Sequence, residues 1–137
     1  MLQSPLHLFV QKRRANDLSL VWEQKYETND RTKFGSQAIG VAVDAQGNVY
    51  VTGSHTVPDD GRGHNDIVTL KYSKDGEFLG GRVREGEPAD GFGFRVAVGP
   101  GGAFYVTGQE DIRGDDELNQ NIWTTKYCDV DPDPFAG

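Results

Sequence analysis

The stretch GVAVDAQGNVYVTGS, Gly40 to Ser54, decides the fold, because the chain writes it again as RVAVGPGGAFYVTGQ, Arg95 to Gln109. Each copy reads as two short runs of β-branched and aromatic residues around a turn, the pattern of an antiparallel hairpin. Val41-Ala42-Val43 returns as Val96-Ala97-Val98, 55 positions later, and Val51-Thr52-Gly53 returns at that spacing as Val106-Thr107-Gly108. The register holds through the next segment. NDIVTLKYS (Asn65–Ser73) falls on QNIWTTKYC (Gln120–Cys128), matching Ile67 with Ile122, Thr69 with Thr124 and Lys71 with Lys126. Agreement over two separated blocks marks an internal repeat.

The first unit predicts strands over 39–43, 48–52, 66–72 and 78–83. Asp44 opens the first turn, where its carboxylate can hold backbone N–H groups, and Gly47 supplies a positive φ. Lys74-Asp75-Gly76 does the same before the fourth strand. In the second unit GPGGA replaces DAQGN, with Pro100 presetting φ. LVWEQKY, Leu20–Tyr26, stands before the first hairpin much as the fourth strand stands before the second, although the residues agree poorly.

A chain of 137 residues with 18 glycines, 10% aromatics and no long apolar periodicity points to one domain of short strands and turns. Its net charge of -7 is unevenly placed. Residues 1–37 hold six Lys/Arg against four Asp/Glu, the remainder eight against seventeen. An acidic body without a basic stripe argues against nucleic acid as a partner. The single cysteine, Cys128, excludes an internal disulfide and a Cys-based zinc site. No segment is long and apolar enough to span a bilayer, so no membrane partner is expected. The opening MLQSPLHLFVQKRR places its charge after its apolar patch, the reverse of a secretory signal, and residues 1–17 are expected to be a flexible lead-in.

Strands covered on both faces, four to a unit, are what the blades of a β-propeller look like. AVDAQGNVYVTGS followed by NDIVTLKYSKDGE resembles the bacterial seven-bladed β-propeller repeat, over roughly residues 18–128. The second unit departs from that pattern at Gly99 and Ala103. The resulting expectation is an all-β fold of two four-stranded antiparallel blades. Blade 1 covers about 38–84, and blade 2 covers about 93–128 together with strand 18–26. Pro132 and Pro134 bar a normal strand after Cys128, so residues 129–137 form an acidic tail and the last blade lacks its outer strand. Strand 18–26 is then available to complete it. Two blades do not close a ring of about four to eight. Three outcomes stay open: a homo-oligomer closing through strand 18–26, a piece of a larger propeller, or two sheets folded into a small sandwich.

Chemistry is sparser. The segments SHTVPDDGRGHND (Ser54–Asp66) and QEDIRGDDELNQN (Gln109–Asn121) read as acidic loops on one face, with Asp60 and Asp115 at corresponding positions. Asp60, Asp66, Asp115, Asp116 and Trp123 are the candidate ligand-binding residues. Carboxylates on a loop suit Ca²⁺, but the order of a calcium loop is absent, so no metal and no cofactor is expected. His55 and His64 lack a third ligand at fixed spacing. Lys71 and Lys126 fit stems laid along a strand, and Trp22 and Trp123 fit packing between blades as well as sugar stacking. No nucleophile motif, phosphate loop or zinc-protease motif occurs, and serine and histidine are too scattered to nominate a triad.

The resemblance implies a non-catalytic repeat module, not an enzyme, serving as scaffold or as a binding surface for protein or glycan. The alternatives are a lectin-like oligomeric propeller and an inert piece of a propeller enzyme. The resemblance leans to export, and the sequence leaves the compartment open.

Overall fold

The hairpin around Asp44 forms as its residues require. The carboxylate accepts hydrogen bonds from the backbone N–H of Gln46 (3.0 Å) and Asn48 (2.9 Å), and Gly47 takes φ 85° to close the turn. The computed structural model describes residues 7–26, 35–57, 64–85, 89–114 and 117–135. Among these, nine strands form: β1 (Leu8–Arg13), β2 (Leu20–Tyr26), β3 (Ser36–Val43), β4 (Val49–Val57), β5 (His64–Tyr72), β6 (Phe78–Arg84), β7 (Ala89–Val98), β8 (Phe104–Gly114) and β9 (Glu117–Tyr127). All pair antiparallel in three sheets: β1-β2, then β3-β4-β5-β6, then β7-β8-β9. The protein is all-β. No helix among the described residues is long and apolar enough to cross a membrane.

Sheet 2 lies between the other two, and its alternation serves both neighbours. Val49, Val51, Val68, Leu70 and Tyr72 point to sheet 1, where Leu8, Val10, Trp22 and Tyr26 join them. Tyr50 and Ile67, from the same strands, point to sheet 3 and pack with Val96, Phe104 and Val106. A strand covered on both faces has no solvent side to show, which is why apolar residues fall on both faces of β4 at Val49-Tyr50-Val51 and of β5 at Ile67-Val68.

Register recurs with the sequence. β3 and β4 slip by one residue between Ala38 and Gly40, and β7 and β8 slip at the equivalent place, between Gly93 and Arg95. Gly53 and Gly108 lie beside these bulges. A Cβ on Gly53 would overlap the carbonyl of Gln37, and one on Gly108 the carbonyl of Phe92. Thr52 donates to the Val68 carbonyl at 3.1 Å, and Thr107 donates to that of Trp123 at 3.0 Å.

Two expectations are corrected at the N-terminus. Within the expected lead-in, Leu8–Arg13 is a strand, with Leu8 1% exposed against sheet 2. Leu20–Tyr26 pairs with that strand instead of completing the last sheet, which has three strands among the described residues. The pairing of β1 with β2 repeats that of β5 with β6. Lys12 faces Trp22 and the register shifts at Lys12/Arg13; Lys71 faces Gly80 and the register shifts at Lys71/Tyr72. Leu20–Tyr26 is a strand as expected, and its neighbour within the chain is β1.

The acidic tail is anchored. Asp131 exchanges two 2.8 Å backbone hydrogen bonds with Gly81, and Phe135 packs 5.1 Å from the Tyr26 ring.

Candidate functional site

The acidic segments expected as loops are largely strand. β4 continues to Val57 and β5 starts at His64, while β8 and β9 run to Gly114 and from Glu117. Polar residues pair here across strands, as solvated hairpin arms permit. Thr56 donates to the Asn65 side-chain oxygen at 2.7 Å, and the Asn65 backbone N–H reaches Asp90 of sheet 3 at 3.0 Å.

At this end of sheet 2 three strands bring unlike chemistry into one row. Ser36 stands opposite His55, and His55 stands opposite Asp66. Ser36 Oγ and His55 Nδ1 share a hydrogen bond of 3.0 Å. Asp66, 5% exposed, lies 3.4 Å from His64 Nε2. Tyr26 of sheet 1 stands edge-on to the His55 ring, with centroids 6.0 Å apart. Burial pushes the Tyr26 hydroxyl well above its ordinary pKa, with Tyr72 and the charge of Asp66 adding to the shift.

The row has the residue types of a nucleophile, a base and an acid, but not their accessibility. Ser36 is 5% exposed, so its hydroxyl lies under the sheet rather than at the mouth of a cleft. Sequence reasoning missed the row because its members are far apart along the chain. The only signal was register. From the Val43–Val49 pair an unbroken ladder would set Gln37 opposite His55, and the bulge brings Ser36 there instead.

Of the residues selected from sequence, Asp60, Asp115 and Asp116 lie outside the described residues. Asp66 is in the row just described. Trp123 sits at the junction of sheets 2 and 3, half-buried, with the Arg84 guanidinium 4.9 Å from its ring. Arg84 also forms an ion pair with Glu110 across the same junction, and the hydrogen bond it donates to that carboxylate raises its pKa. The Trp123 face is therefore engaged by the protein itself. Asp66 and Trp123 belong to separate clusters. Trp22 is engaged likewise: it packs 6.2 Å from Tyr72 and donates its indole N–H to the Lys74 carbonyl at 3.0 Å. Lys71 and Lys126 lie 5.0 and 5.9 Å over the rings of Tyr50 and Tyr105. Among the described residues no group of three or more His, Cys, Asp or Glu is arranged to hold a metal ion.

Compared with known proteins, the chain matches no family model and no curated protein to a significant degree.

Proposed function

We propose that this chain is a non-catalytic β-propeller repeat module, a run of consecutive blades that serves as scaffold or as a binding surface for protein or glycan. One observation carries the reading: the middle sheet repeats the pairing and bulge of sheet 1 in β5–β6 and those of sheet 3 in β3–β4, and it presents one face to each of them. Stacking of like sheets on like is the principle of a propeller, and such repeats bury their faces only through their neighbours. Of the three outcomes left open by sequence, a piece of a larger propeller fits best with sheets of two, four and three strands among the described residues.

The Ser36–His55–Asp66 row favours a second reading, in which the chain is a piece of a hydrolytic enzyme. A panel of ester, glycoside and phosphate substrates separates the two. The module reading expects no turnover, together with retention of a glycan or protein ligand that survives Ser36→Ala. Turnover that disappears in both Ser36→Ala and His55→Ala would overturn it.

A further inference from the structure

A groove of about 300 Å³ runs between β1 and β3, lined by Phe9, Val10, Gln11, Ala38, Ile39 and Val41. β1 has a single strand neighbour among the described residues, β2 on its other side. Beside the groove, Val41 and Val43 of β3 are 66% and 56% exposed. Their counterparts in sheet 3 fare differently. Val96 is 7% exposed and Val98 is partly buried, because Ala42 and Tyr50 of sheet 2 join them in one core cluster. Among the described residues sheet 1 has only β1 and β2, and neither of the two strands that would do this for Val41 and Val43.

We infer that this groove is the seat of an added β-hairpin of the β3–β4 design, whose second strand pairs with β1. The inference rests on the repeat-module reading and adds a surface, an occupant and a register. The register follows from the common bulge. Lys12 stands where Lys71 stands, and Lys71 faces Tyr50 on β4. The incoming strand therefore sets its tyrosine opposite Lys12 and its threonine opposite Val10, as Thr52 stands opposite Thr69. Backbone pairing along an open edge supplies affinity, and alternate side chains supply specificity.

Two features identify the occupant. The groove is continuous with the core formed by Leu8, Val10, Val49 and Val51, so an apolar face laid there extends an interface the chain already uses. The open edge is also cationic through Lys12 and Arg13, whereas residues 36–57 carry Asp44 and no lysine or arginine.

The test titrates the isotope-labelled full chain with a backbone-cyclised peptide of residues 36–57, and cyclisation keeps the hairpin formed. Amide exchange along β1 should slow at least about tenfold, with the effect confined to alternate residues of its open edge. Val41→Asp, at an exposed position that leaves the fold intact, should weaken binding at least about tenfold. No slowing at about 1 mM peptide, or equal slowing in Val41→Asp, would overturn the inference. A chain that is dimeric without peptide and monomeric as Val41→Asp would give the seat to a second copy, and the added hairpin would be abandoned. Failure here, with the inactivity and ligand retention expected of the module intact, would remove the seat and leave the repeat reading standing.

Discussion

Val41 and Val96 are a matched pair in unlike surroundings, and truncating each to alanine isolates what a covering sheet contributes. They hold the same register position, opposite Val51 and Val106. A buried methylene-sized group contributes about 0.8 kcal/mol, and valine loses roughly two such groups on becoming alanine. Scaled by exposures of 7% and 66%, the transfer loss is roughly 1.5 kcal/mol at Val96 and about 0.5 kcal/mol at Val41. A cavity adds on the order of 0.5–1 kcal/mol at Val96 alone, since packed surroundings relax only in part. Loss of β-branching is common to both sites and cancels in the comparison. Val96→Ala should therefore cost about 2–2.5 kcal/mol and Val41→Ala less than about 1 kcal/mol. Urea titration followed by the fluorescence of Trp22 and Trp123 measures both, with an unchanged m-value as the control on two-state behaviour. In a thermal melt the difference appears as a gap of about 4–8 °C between the variants. Equal costs would show that β7 does not rest on sheet 2, and the stacking on which the fold is built would be refuted.

Gly53→Ala and Gly108→Ala should each cost at least about 1–3 kcal/mol, because the new Cβ meets backbone that cannot swing away; chemical denaturation reads this, and a neutral outcome at either would deny the bulge. Asp44 is held below its ordinary pKa: burial opposes this, but hydrogen bonds from Asn48, the Gln46 backbone and Tyr50 outweigh it. A depressed carboxyl stabilises the fold above about pH 4 and loses that effect as pH falls through its folded value, so Asp44→Asn should flatten the acid limb of a pH–stability curve. Tyr72 is pushed up to about 12 by burial. Its contribution is complete below about pH 10, the unfolded value, and fades as pH rises through the folded one. Absorbance titration of the phenolates should show delayed ionisation, and Tyr72→Phe should remove part of the alkaline loss of stability.

The hairpins were legible because turn chemistry is local. Asp44 and Gly47 announce a tight turn, and the 55-residue spacing announces its copy. The N-terminal hairpin was not legible, for a physical reason. β1 is six residues with only Leu8 and Val10 buried, and Lys12 and Arg13 follow at once, so its period-two signal spans two turns of the pleat. The likeness of β1 to β5 lies in pairing and bulge rather than in residue identity. The polar ends of β4, β5, β8 and β9 were hidden because a solvated hairpin arm buries little, and composition reads it as loop. The Ser36–His55–Asp66 row shows how far one bulge carries: a single extra residue on β3 decides which side chain meets His55, and no local motif records it.

The edges and faces of the three sheets are managed differently, and the difference restricts how this fold meets further β-structure. The outer edge of sheet 2 is occupied by the tail, which comes close because Gly80 and Gly81 carry no side chains. That pairing blocks lateral addition of a strand to β6. The faces tell the opposite story. Ile122 is 91% exposed where its counterpart Ile67 is 2% exposed, and Tyr105 is 41% exposed where Tyr50 is fully buried. On the front of sheet 1 the corresponding positions hold Gln11 opposite Glu23, where sheet 2 has Leu70 opposite Gly81. The two end faces thus expose unlike sets of side chains, Ile122 and Tyr105 beside Thr124 and Lys126 on one and Phe9 beside Gln11 and Glu23 on the other. Face-on stacking against sheet 3 and occupation of the groove between β1 and β3 would each take exposed apolar surface out of water, Ile122 and Tyr105 in the one case and Val41 in the other.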